Sequence, residues 1–304
     1  MTLIEDDADA DRAGGLFHSW MFHQLHRGSD GVYFGWQVRN TVRATIHFTS
    51  IGDGLWRSPA RGTFAGYDTD PTLTLEELAT FHDVVEARLR ARGATRIEIL
   101  PAPMAHHPAA VSNQLYLLRA RGFEIAGCDL NHTIAVDDTR LADRMAYNNL
   151  KRLRKCEREG IVGQRLNATM LDAVYATIAE NRASKGYPMS MTFDQLQQMV
   201  ELFPDAVQLF GASSAERLSA AAICLRVSPS VLYAFCWGDR PEFGDSSPVV
   251  PVAAAIYQYC QEQQIEILDA GTSTIDREPN HGLIRFKRGL GFEESLKFRL
   301  VKHL

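Results

Sequence analysis

The chain repeats itself once. Ile97-Glu98-Ile99-Leu100 returns as Ile265-Glu266-Ile267-Leu268, and Gly122-Phe123-Glu124 returns as Gly291-Phe292-Glu293. The two matches keep their order and nearly one offset, about 168 residues, which excludes a solenoid, whose repeats run to about 20–50 residues. Each copy has a helical pattern before the strand and an Asn-led segment before its last helix, at Asn113 and Asn280. Two similar domains are therefore expected, as the length of 304 residues also suggests. The expected layout is an acidic flexible tail over 1–15, one domain over 16–137 and a second over 138–304.

Periodicity fills in both halves. Val32–Val38, Ala44–Ile51, Arg96–Leu100 and Phe123–Val136 read as strands, and Leu75–Arg92 and Val111–Arg121 as helices closed by Gly93 and Gly122. In the second half one helix is expected from Leu141 to Glu159, then helices at 170–184, 193–203, 252–263 and 282–289 among strands at 207–212, 220–227, 231–237 and 265–270. The class is α/β (α+β), with a mixed central sheet flanked by helices in each domain.

Composition narrows the function. Hydrophobic residues at 45% and charged residues at 23% are ordinary for a globular chain. A net charge of −5 disfavours a protein dedicated to coating duplex nucleic acid. The acidic start (Asp6, Asp7, Asp9, Asp11) and five cysteines without a Cys-x-x-Cys pair point to a reduced, cytoplasmic protein with no membrane span. His18, His23 and His26 lack the spacing and acidic company of a metal site, so no metal is expected.

The copies differ where chemistry would sit. Asp269 follows the second strand where the first has Pro101, and Lys287 stands where the first copy has Leu118. Charge in a core-facing setting is rare unless paired or used, and both differences fall in one copy.

Three segments then show a resemblance. Ile267-Leu268-Asp269-Ala270-Gly271-Thr272-Ser273, Asn280-His281-Gly282-Leu283 and Phe286-Lys287-Arg288-Gly289-Leu290-Gly291-Phe292 resemble the C-terminal signature of the Fem-like branch of GNAT acyltransferases. Ser58–Gly66 is similar to a Gly-rich loop of such proteins, and Asn148–Lys155 with Glu159-Gly160 to their basic helix. The resemblance implies two GNAT domains in tandem and transfer of an acyl group from acyl-CoA, or an aminoacyl group from charged tRNA, to an amine. Two departures stand out. The GNAT pyrophosphate loop, Gln/Arg-x-x-Gly-x-Gly/Ala, is missing, its nearest piece being Arg240–Ser246, and no sustained heptads exist for a coiled-coil arm.

Acyl transfer needs a docked donor, a deprotonated amine and a cation or donor for the developing oxyanion. The resemblance implies Lys287, with Phe286 beside it, as the oxyanion partner, and Asp269 is the candidate proton acceptor. Lys151, Arg152 and Lys155 of the basic helix, with Arg240 and Arg285, are the candidate phosphate contacts. Arg144, Lys151, Lys155 and Arg158 fall on one face of that helix, which is alternatively a solvated surface. Arg61, Arg182, Tyr187, Asn280 and His281 are candidate acceptor contacts. Cys224 and Cys236 lie in apolar strands and are read as packing. The leading expectation is an N-acyltransferase using acyl-CoA on an amine of a small molecule, amino sugar or peptide. An aminoacyl-tRNA-dependent transferase and a non-catalytic double-GNAT binding module are the alternatives.

Overall fold

The computed structural model describes residues 1–12, 14–214, 217–275 and 278–304, with Ser214 described by its backbone alone. The chain forms two compact units. One gathers Met1–Leu130 and Ser295–Leu304, the other Asn131–Ile275 and Pro279–Glu294.

Strands β1 (Thr2–Glu5), β2 (Gly31–Val38), β3 (Thr41–Ser50), β4 (Leu55–Ser58), β5 (Asp68–Thr69), β6 (Arg96–Ile99) and β7 (Glu124–Ala135) accompany helices α1 (Trp20–His26), α2 (Leu75–Ala91) and α3 (Pro108–Ala120). They are followed by α4 (Leu141–Arg144), α5 (Tyr147–Arg158), β8 (Val162–Leu166), α6 (Leu171–Ser184) and α7 (Phe193–Leu202). Next come β9 (Val207–Ser214), β10 (Arg217–Ser228), β11 (Val231–Asp239), α8 (Val249–Glu262) and β12 (Ile267–Thr272). Short strands β13 (Thr274–Ile275) and β14 (Glu278–Pro279), then α9 (His281–Gly289) and β15 (Glu293–His303), complete the chain.

In the first unit β1, β2, β3 and β4 pair antiparallel in order, α2 crosses over to β6 parallel to β4, and β15 closes antiparallel on β6. The second unit repeats the plan: β8 to β11 pair antiparallel in order, α8 crosses to β12 parallel to β11, and the end of β7 closes antiparallel on β12. The closing strand of each unit is thus the last strand of the other repeat. A split near residue 137 does not capture this exchange, because residues 295–304 complete the first unit.

Helix ends carry the repeat into detail. Gly122 (φ 87°) and Gly291 (φ 96°) adopt the left-handed conformation that closes a helix, where L side chains are strained. The N–H of Phe123 donates to the Leu118 carbonyl at 3.0 Å, and that of Phe292 to the Lys287 carbonyl at 3.1 Å. A capping box of Thr74 and Glu77 starts α2, whose Phe81, Val85 and Leu89 pack into the first core with Phe34, Ile97 and Phe123. Phe210, Val252, Ile256, Leu268 and Phe292 belong to the second core.

Two local readings need correction. Residues 2–5 are a strand on β2 rather than part of a free tail; Tyr33 N–H also donates to Asp6 Oδ1 (2.9 Å). The helix expected over 141–159 is broken by extended backbone at Met145 and Ala146. Arg144 therefore lies on α4, paired with Asp137, and not on the basic face of α5.

Candidate functional site

The parallel pair of the second unit comes apart where the repeats differ. β11 is in register with β12 from Val231↔Ile267 to Tyr233↔Asp269, then runs on to Asp239. Past the last paired residue, Phe235, Trp237 and Asp239 share one face of β11 and are half-exposed. The first unit is closed at the matching place: Ala65, from the Ser58–Gly66 loop, bridges Pro101 and donates its N–H to the Leu100 carbonyl at 2.8 Å. The opening belongs to the copy with the charged residues.

A bulge shapes the end of β12. Its register on β7 shifts between Asp269 and Thr272, and Gly271 takes a φ of 75°. A Cβ there would lie 3.2 Å from the Tyr233 ring, so a side chain would strain the backbone and press on that ring. The kink turns Asp269 onto internal donors: its Oδ1 accepts from Asn131 Nδ2 (2.9 Å) and from the Gly271 N–H (2.6 Å). The carbonyls of Gly271 and Thr272 accept from Lys287 Nζ at 2.9 and 2.8 Å.

Lys287 is 1% exposed and Asp269 0%. Burial pushes the Lys287 ammonium down to about 7, with the Asp269 charge pulling it back up. The ammonium is thus held against the end of β12, just past the last residue that pairs with β11. Its first-unit counterpart, Leu118, is fully buried in an apolar core. Asp269 is enclosed and bonded, which suits it to hold the bulge and balance Lys287 and leaves it no solvent-facing edge from which to take a substrate proton.

The other expected residues are distributed as follows. Phe286 is half-buried, its ring 6.0 Å from that of Trp237 and its carbonyl accepting from Asn149 Nδ2 at 3.3 Å. The Asn280 side chain caps α9, its Oδ1 accepting from the Leu283 N–H at 3.0 Å. His281 and Arg285 are exposed on α9. Arg240 is turned inward, donating through Nε to the Leu218 carbonyl at 2.8 Å and paired with Glu180, so it clamps the fold rather than a phosphate. Lys151 and Arg152 are exposed on α5, and Lys155 is half-buried 3.8 Å from Glu159. Arg182 donates to the Pro188 carbonyl at 2.7 Å, holding the exposed turn that carries Tyr187. Arg61 is exposed in the first unit.

The segment nearest a GNAT pyrophosphate loop is consumed by itself. The N–H groups of Gly244, Ser246, Ser247 and Val250 donate to carbonyls of Pro241, Phe243, Phe243 and Ser247. Cys156 and Glu159 at the end of α5 bond Ser246 from the other side.

Sequence reasoning assigned no role to Asn131 and His132, inside a strand, or to Ser273 by itself, which entered only as the end of the Ile267–Ser273 stretch. His132 Nδ1 lies 3.1 Å from Ser273 Oγ, and both residues are fully buried beside the bulge. Among the described residues no cluster of three or more His, Cys, Asp or Glu is placed to hold a metal ion, and no helix is long and apolar enough to cross a membrane.

Solved structures share this architecture. FemX aligns over 100% of this chain and 98% of its own with a TM-score of 0.76 at 14% identity. L-PGS from Bacillus licheniformis aligns over 96% and 88%, with a TM-score of 0.63 at 10% identity. A tandem GNAT protein from the clavulanic acid biosynthesis pathway aligns over 90% and 82%, with a TM-score of 0.51 at 12% identity. No family model matches the sequence, and no curated protein matches it.

Proposed function

From the premise that this chain has the tandem fold of the Fem-like, GNAT acyltransferase superfamily, we propose that it is an acyltransferase that forms an amide on an amine acceptor. The reacting carbonyl sits beyond the last paired residues of β11 and β12 in the second unit. The observation that carries this reading is Lys287: a buried ammonium hung on two carbonyls of a bulge, where the first copy has leucine. Its charge stabilises the oxyanion, while Asp269 fixes the bulge and the charge of Lys287. The amine is deprotonated by a group other than Asp269, or arrives neutral.

The donor is an aminoacyl-tRNA in preference to acyl-CoA. The observation favouring this order is the loop before α8, where the N–H groups of Gly244, Ser246, Ser247 and Val250 are already bonded within the loop and so leave fewer donors for a pyrophosphate. Exposed Lys151, Arg152, Arg154 and Arg158 on α5 offer positive charge to a phosphate backbone instead. Calorimetry with a charged tRNA mixture and with acetyl-CoA tests this order. Binding of acetyl-CoA alone would reverse it, and binding of neither would return the protein to the class of non-catalytic double-GNAT modules.

A further inference from the structure

Nothing in the transfer chemistry above uses His132, yet the fold buries it completely in the second unit. Its Nδ1 is 3.1 Å from Ser273 Oγ, and its Nε2 faces Glu294 Oε1 at 3.8 Å with no hydrogen-bond partner among the described residues. A carboxylate facing Nε2 favours the tautomer with its proton there, which leaves Nδ1 to accept from the serine hydroxyl. Ser273 directly follows the two residues whose carbonyls hold Lys287. The charged groups acting on the imidazole are Lys287 and Arg288 of α9, Glu294 of β15 and Asp269 of β12.

We propose that His132 is the positioning residue for Lys287. As a neutral imidazole it anchors Ser273, and through that residue the Gly271–Thr272 carbonyls that aim the ammonium. The imidazole stays neutral beside the ammonium, because burial and a neighbouring cation both disfavour a second positive charge there. Burial and the Lys287 charge hold His132 down to about 4, against Glu294 and Asp269, in keeping with a neutral ring whenever Lys287 is protonated.

This inference rests on Lys287 being the working cation, and its test separates the two. Nitrogen-15 NMR of the full-length protein is expected to show His132 neutral with its proton on Nε2 between pH 5 and 8. In Lys287→Met its titration should move up, while burial still holds it below the unperturbed value. The Lys287 side-chain NMR signal should stay near its wild-type position in His132→Asn, which keeps an acceptor near Nδ1, and move in His132→Leu. With an acyl donor and acceptor in hand, kcat should fall about 10- to 100-fold in His132→Leu with little change in KM, and recover in part in His132→Asn. A His132 titration indifferent to Lys287→Met, or a proton on Nδ1, overturns the proposal even if the enzyme is active. Intact NMR coupling in a protein that transfers nothing supports the positioning role and removes the acyltransferase reading instead.

Discussion

Lys287 and Leu118 hold the same place in two copies of one helix end, each carbonyl accepting the N–H of the phenylalanine five residues on. The duplicate of this helix end carries an apolar side chain in a packed core, which makes an apolar replacement of Lys287 the natural test.

Lys287→Met should fold, with an unchanged circular dichroism spectrum, and lose about two to three orders of magnitude in turnover, the usual loss for an oxyanion donor. Its stability should also respond differently to pH. The unfolded chain keeps the lysine proton up to about 10.4, the folded protein only to about 7. Between those values the unfolded state binds more protons, so stability rises with pH and is lost again as pH falls toward 7. Denaturant titrations at several pH values should show that rise in the wild type and a flatter profile in Lys287→Met.

Gly271→Ala places a Cβ on a residue at φ 75°, 3.2 Å from the Tyr233 ring. The expected cost is on the order of 1 kcal/mol or more from backbone strain, together with loss of transfer activity as the bulge reshapes. Gly282→Ala on α9, where φ is ordinary and the nearest atom is 3.5 Å away, should be neutral or slightly stabilising. Equal thermal melts for the two variants would refute the strain argument.

Lys151→Gln with Lys155→Gln should weaken binding of charged tRNA and reduce its dependence on salt, because fewer counterions are released. A filter-binding series in potassium chloride reads the slope; an unchanged slope makes this face of α5 a solvated surface.

Acid should destabilise the first unit. His23 and His47, rings 5.0 Å apart, are held by burial at about 3 and about 4. The unfolded chain protonates them near 6.5, so the unfolded state binds more protons below that pH and stability falls as pH drops toward 4. His23→Phe, which replaces a ring whose two nitrogens have no partner among the described residues, should blunt that fall in thermal melts at pH 4–7.

Leu300→Ala, in the strand that closes the first unit, should cost about 2–5 kcal/mol, as for other fully buried leucines. Hydrogen exchange should report the loss in residues 1–130, even though the substitution lies near the C-terminus.

The repeat was legible because Ile97–Leu100 and Ile265–Leu268 share the sequence Ile-Glu-Ile-Leu, whose apolar residues Ile97, Ile99, Ile265 and Leu268 pack in the two cores. Lys287 was legible because its copy is a leucine. The strand exchange was not, since strands 124–135 and 293–303 carry the same pattern whichever sheet they join. Periodicity also carried the helix reading through Met145-Ala146, whose composition favours helix while their backbone is extended. Arg240 and Asn280 looked like ligand contacts because sequence shows a polar residue in a loop, not the carbonyl or N–H it already satisfies. His132 lay in a strand of mixed polarity with no motif to single it out, and its partner Ser273 is 141 residues away in the chain.

The order of synthesis gives the exchanged strand a further meaning. A ribosome releases residues 1–130 well before the segment that pairs with β6, a wait of about ten seconds or more at ~5–20 residues per second. Until then β6 presents an unsatisfied edge, open to capture by a neighbouring nascent chain. The first unit is begun long before the strand that closes it is made, and polysome crowding is the setting in which that delay matters most.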